Sequence, residues 1–106
     1  MISVRVHEKA IVVNGNKIAE RVAALCDEEL LGKVLEDGDL CLDLEKHAGF
    51  YKGAIVSEAD AAKLLEGASS VNAVGEKSVA AVRKAFGKAG GIIKIAGVPH
   101  LQVYRL

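Results

Sequence analysis

The apolar positions of this chain change spacing repeatedly, from every second residue to every third or fourth and back. Alternation puts apolar side chains on one side of a strand, whereas a 3.6-residue period puts them on one side of a helix. Neither pattern runs long, so the chain must fold by packing short elements of both kinds. Ile2-Ser3-Val4-Arg5-Val6-His7 alternates and reads as a half-buried strand. Ala10 to Val13 is rich in β-branched residues and runs into Asn14-Gly15-Asn16, a turn signal. Residues 17–26 admit two readings. Ile18, Val22 and Leu25 fit a helical period, while Arg21 to Cys26 reads as a strand, towards which the end of the stretch leans.

Asp27 stands where it can cap a short helix from Glu28 to Leu31, stopped by Gly32. Glu36 to Asp39 is a turn, and Leu40, Leu42 and Leu44 then alternate inward along the clearest strand of the sequence. His47 to Gly53 reads as a loop carrying Phe50 and Tyr51. Ser57, with Asp60 three residues on, opens a helix from Glu58 to Glu66 that packs through Ala61, Leu64 and Leu65 and stops at Gly67. A second helix runs from Glu76 to Phe86, closed by Gly87, Gly90 and Gly91. Ile92 to Ile95 is a short buried strand, Gly97-Val98-Pro99-His100 a tight connection, and Leu101 to Leu106 a closing strand. The expected fold is α+β: one domain over residues 1–106, with a mostly antiparallel or mixed sheet and two to three helices on one face.

At 106 residues there is material for one ordinary domain, which buries roughly 65% of its unfolded surface without staples. With 51% apolar residues and zero net charge the composition is not that of a disordered chain, and no run of about 18 apolar residues offers a membrane span. The start, Met1-Ile2-Ser3-Val4-Arg5, has no basic stretch followed by an apolar one, so neither a signal nor a transit peptide is expected. Cys26 and Cys41 form no CxxC pair, which fits a reduced, cytoplasmic setting. Charge is unevenly spread. Residues 1–66 carry eight basic and thirteen acidic side chains, net −5, and residues 67–106 carry six basic and one acidic, net +5.

That cationic segment holds the best candidate site. Val71-Asn72-Ala73-Val74-Gly75-Glu76-Lys77-Ser78-Val79 resembles the second half of a helix-hairpin-helix turn, with Ala73 in place of the first glycine. Such a loop exposes backbone N–H groups at a helix N-terminus, where a phosphate can sit. On the following helix Val79, Val82 and Phe86 face one way, and Lys77, Lys84 and Lys88 face almost the opposite way, into water. Three phosphate contacts to a single strand imply a salt slope near −2, about a 20-fold loss of affinity between 50 and 200 mM salt. His100, after Pro99, would be held on a rigid corner as a phosphate donor, a base or a cap of the sheet. The nucleic-acid or phosphate-binding candidates are therefore Asn72, Gly75, Lys77, Lys84, Lys88 and His100. The acidic residues lack the spacing of a calcium loop, Cys and His lack zinc spacing, and no Ser lies in a nucleophile elbow. No metal ligand, cofactor or catalytic residue is expected.

Four stretches together resemble a small archaeal family of uncharacterised proteins, domain of unknown function 424. They are Cys26-Asp27-Glu28-Glu29-Leu30-Leu31-Gly32-Lys33, Phe50-Tyr51-Lys52-Gly53, Asn72-Ala73-Val74-Gly75-Glu76 and Gly97-Val98-Pro99-His100-Leu101-Gln102. The resemblance implies an archaeal cytoplasmic protein, described for the family as a predicted RNA-binding protein, and brings no catalytic residues. The expected function is a small cytoplasmic RNA-binding accessory protein, with RNA or a ribonucleoprotein as partner and no membrane. The alternatives are a protein-interaction module, docking through exposed aromatics such as Tyr51 and Tyr104, and, last, a small enzyme using His100.

Overall fold

The computed structural model describes residues 1–87 and 91–104. Two long strands, β1 (Ile2–Val13) and β2 (Asn16–Asp27), pair antiparallel without a break from Ile2↔Asp27 to Val13↔Asn16. The Asn14-Gly15 turn joins them with φ of 52° and 79°, the positive pair that a two-residue hairpin of matching twist requires. Residues 17–26 are thus strand throughout. Ala23 and Leu25 go to one face of the sheet and Ala24 and Cys26 to the other, and all four are buried. A strand covered on both sides reads as an unbroken apolar run, which is why periodicity left it open.

The main sheet has six strands in the order β5-β1-β2-β6-β8-β7. Its other members are β5 (Ala54–Val56), β6 (Ser70–Val74), β7 (Ile92–Ile95) and β8 (Val98–Tyr104). The β2–β6 pair is parallel and the rest are antiparallel, so the sheet is mixed. β3 (Val34–Asp37) and β4 (Leu40–Asp43) form a separate two-stranded hairpin. The molecule is a single α+β domain.

Several expectations change. Residues 70–74 are a central strand and not a hairpin loop between helices. Val71 and Ala73 pack towards the helices, and Val74 lies in a second apolar cluster on the far face. The loop expected at His47 to Gly53 contains a short helix, α1 (Ala48–Tyr51), and Tyr51 is only 3% exposed. Leu40, expected inward, is 47% exposed because β4 belongs to the small hairpin and only Leu44 beyond it is fully buried. Leu64 is exposed, while its neighbours Ala61 and Leu65 carry the packing. Ile93, on the outermost strand, is 59% exposed. Pro99 and His100 lie within β8, and the tight turn comes earlier, at Ala96 and Gly97 with φ of 52° and 80°.

Helices α2 (Glu58–Leu64) and α3 (Glu76–Phe86) cover one face of the sheet. Ser57 caps α2, its hydroxyl accepting from the Asp60 N–H at 3.2 Å, as its sequence position implies. Val79 and Val82 of α3 are buried against Val71, Ala73 and Leu101, and Phe86 packs at the margin. The opposite face is covered only in part, by α1, the β3–β4 hairpin and the turn of 3-10 helix at Glu28–Leu30. The part left uncovered holds the site described next.

Candidate nucleic-acid interface

The N-terminus of α3 carries an anion already, and it belongs to the chain. Oδ1 of Asp27 accepts from the Ser78 N–H and from the Ser78 hydroxyl, both at 2.8 Å, and Oδ2 accepts from the Lys77 N–H at 3.2 Å. Asp27 is buried and makes no side-chain cap bond to the turn of helix that follows it. Parallel pairing of β2 with β6 produces this arrangement, because it brings the end of β2 beside the start of α3. The carboxylate satisfies two of the helix's orphan donors and lies at the positive end of its dipole. Gly75, the cap residue, has φ of 107°, and a Cβ there would run into the Asp27 carboxyl group. Its role is to admit that carboxylate.

Lys77 and Lys84 lie on the helical side. Lys77 Nζ is 3.9 Å from Glu29, with both side chains about half exposed, a pair worth ~0–1 kcal/mol. Lys84 lines a cleft between α2 and α3 with Lys63, Glu66 and Phe86. Lys88 falls outside the described residues. Among the described residues Arg83, Lys84 and Lys94 form no ion pair.

Asn72 and His100 point to the other face, and the fold joins them. In the β6–β8 register Val74 faces His100 and Asn72 faces Gln102, so Asn72 and His100 are diagonal neighbours on one side of the sheet. The stretches 72–76 and 97–100 thus form one locality, tied also by the Gly75 N–H to the Pro99 carbonyl at 2.9 Å. Asn72 Oδ1 accepts from the Tyr51 hydroxyl at 2.6 Å and lies 3.2 Å from His100 Nε2. An amide oxygen only accepts, so Nε2 carries the proton and Nδ1 is left as an acceptor. Burial lowers the His100 pKa below 6.5 and favours this neutral form. Among the described residues Asn72 Nδ2 and His100 Nδ1 have no partner, and neither is sealed from solvent.

Around this pair the sheet is open. A pocket of about 440 Å³ is lined by Asn72, Gln102, Tyr104, Ser69, Ser70, Phe50, Val22 and Glu20 among others. A second, of about 290 Å³, adjoins it across Gln102 and Tyr104 and includes His100 and Ile93. Tyr104 is 74% exposed. Phe50 stacks on His7 with centroids 4.8 Å apart and meets Tyr51 edge-on at 5.0 Å. The Ser3 hydroxyl donates to the Tyr51 carbonyl at 2.9 Å and accepts from the Gly53 N–H at 2.8 Å, anchoring α1 to β1.

Gln102 and Tyr104 were available to sequence reading, since alternation along Leu101-Gln102-Val103-Tyr104 puts them on one side with His100. Tyr51 carried no such signal. Burial of Tyr51 removes it as a docking aromatic and makes it the support of Asn72. The arrangement does not resemble a hydrolytic triad. Glu20 lines the pocket but bonds to neither Asn72 nor His100, and burial pushes the Cys26 thiol up to about 12, leaving it protonated. Among the described residues no group of three or more His, Cys, Asp or Glu could hold a metal ion, and no helix is long and apolar enough to cross a membrane.

A family model described as "Protein of unknown function (DUF424)" matches residues 16–106, from the start of β2 onward. No curated protein matches the chain. Among solved structures, the chain is similar to the crystal structure of an uncharacterized conserved protein from Methanopyrus kandleri, with 29% identity and a TM-score of 0.68. That likeness covers 95% of this chain and 91% of the other.

Proposed function

This chain belongs to the DUF424 family of proteins of unknown function, and from that premise we propose that it is a small cytoplasmic RNA-binding accessory protein of an archaeal cell. The surface assigned to RNA is the uncovered face of the sheet around Asn72, His100, Gln102 and Tyr104. One observation carries the reading: an exposed tyrosine stands beside amide and hydroxyl groups in a pocket of about 440 Å³, with the His100 imidazole in the pocket that adjoins it. Proteins that take single-stranded RNA on a sheet face combine aromatic stacking with such hydrogen-bonding groups. Asp27 already fills the helix N-terminus, so the reading does not need a phosphate beside Gly75. Lys77 and Lys84 lie across the sheet and are not part of it. Arg5 and Lys9 share a side of β1 with Ser3 and His7, which α1 covers, and are themselves exposed where they can meet phosphates, with Lys9 opposite Glu20 in register.

Filter binding at low salt with single-stranded RNA tests the proposal. Wild type is expected to bind, and Tyr104→Ala to bind on the order of tenfold more weakly. Retention of full affinity by both Tyr104→Ala and Gln102→Ala would refute this surface. A partner from lysate that survives nuclease and needs Tyr104 would favour the protein-interaction reading, which the exposed Val12 and Ile18 of the β1–β2 hairpin support.

A further inference from the structure

Resting on that reading, we infer that Asn72 and His100 read the Watson–Crick edge of an unpaired nucleobase, and that Tyr51 holds them in the orientation that does so. The argument is one of donors and acceptors. Oδ1 of Asn72 is taken by the Tyr51 hydroxyl and by His100 Nε2. What the pair turns to solvent is therefore an amide donor in one pocket and a bare imidazole acceptor in the pocket adjoining it. A phosphate offers acceptors only, so it would meet the Nδ1 lone pair with another lone pair. Along its Watson–Crick edge a base offers both kinds of group, a donor that Nδ1 can accept from and an acceptor for the amide, which a phosphate does not. In a duplex that edge is consumed by pairing, so the base must be single-stranded or flipped out. The adjoining Tyr104 ring supplies a flat apolar surface for the base's face.

Tyr51 is a positioning residue. Its hydroxyl, 2.6 Å from Oδ1, prevents the Asn72 amide from turning over. With that donor gone the amide can present oxygen to the pocket, and the pair of unlike groups is lost.

Fluorescence anisotropy with four probes decides it: a uridine-rich single strand, its duplex, the same strand with abasic sugars, and free uridine monophosphate. The intact single strand is expected to bind on the order of tenfold more tightly than the duplex or the abasic strand. Asn72→Asp keeps an oxygen for Tyr51 and His100 but removes the amide donor. It should erase that discrimination, and Tyr51→Phe should reduce it, with thermal unfolding confirming that both variants fold. Abasic and intact strands binding alike would overturn base reading while leaving RNA binding in place. No binding by any strand would overturn both. Undiminished discrimination in Asn72→Asp and Tyr51→Phe would remove these residues from the reading. Uridine monophosphate binding as tightly as the strand would assign the pocket to free nucleotides and overturn the RNA part.

Discussion

His100 controls what the pocket offers because its two nitrogens do different work. Nε2 is committed to Asn72, and Nδ1 stays an acceptor while the ring is neutral. Burial lowers its pKa from 6.5, so the unfolded chain takes up a proton before the folded one does. Stability from this residue is therefore present above pH 6.5 and is lost as the pH falls below it, levelling off beneath the folded value. Urea denaturation across pH 5 to 7 should show a steeper acid-side decline for wild type than for His100→Gln. Equal slopes would mean that the ring protonates without cost. Protonation of the folded protein also turns Nδ1 into a donor, so RNA affinity should decline only as the pH falls through the lowered folded value. This residue was conspicuous in the sequence beside Pro99, but its partner was not, since Asn72 reaches it only through pairing of strands 28 residues apart.

Among the elements, α3 was the most legible and β6 the least. Val79, Val82 and Phe86 recur at helical spacing, and Gly75 and Gly87 bracket them, so the boundaries could be read directly. Residues 70–74, Ser-Val-Asn-Ala-Val, place two polar residues among apolar ones and are followed by Gly75, which looks locally like a loop before a helix. Only neighbours supplied by β2 and β8 make the segment a strand. The same long-range pairing gives Asp27 its actual role, capping a helix whose Ser78 lies 51 residues away. Replacing Asp27 with Ala should cost about 2 kcal/mol by leaving the Ser78 hydroxyl and two helix amides without their acceptor. Gly75→Ala should cost at least as much, on the order of 1–3 kcal/mol from its backbone conformation plus displacement of the carboxylate. Chemical denaturation measures both. The double variant should cost less than the two added, because one substitution already disrupts the contact.

Taken as a whole, the molecule separates its charge from its pocket. Among the described residues, the C-terminal cations expected to gather at one RNA surface lie instead on the helical side, with Lys77 beside Glu29 and Lys84 between α2 and α3. The sequence could show the excess of charge but not which side of a sheet would bear it, since that depends on strand order. Binding at the open face by two phosphate contacts, from Arg5 and Lys9, predicts a salt slope near −1.4 and about a sevenfold loss of affinity between 50 and 200 mM salt. Lys77→Glu with Lys84→Glu should leave that affinity within about twofold. A slope near −2 abolished by the lysine changes would return the interface to α3.

The β1–β2 hairpin has one further consequence. β5 flanks β1 only at Ile2 to Val4, and β6 flanks β2 only from Val22 to Cys26. Beyond Val4, and beyond Arg21 whose backbone groups Ser69 meets, the two strands have no further strand partner among the described residues, and they end in a greasy tip where Val12 is 68% exposed. A ribbon so lightly braced opens without the rest of the domain unfolding. Its amides should exchange with deuterated water long before those of Ala23 to Leu25, and crowded solutions should bring such ribbons together edge to edge.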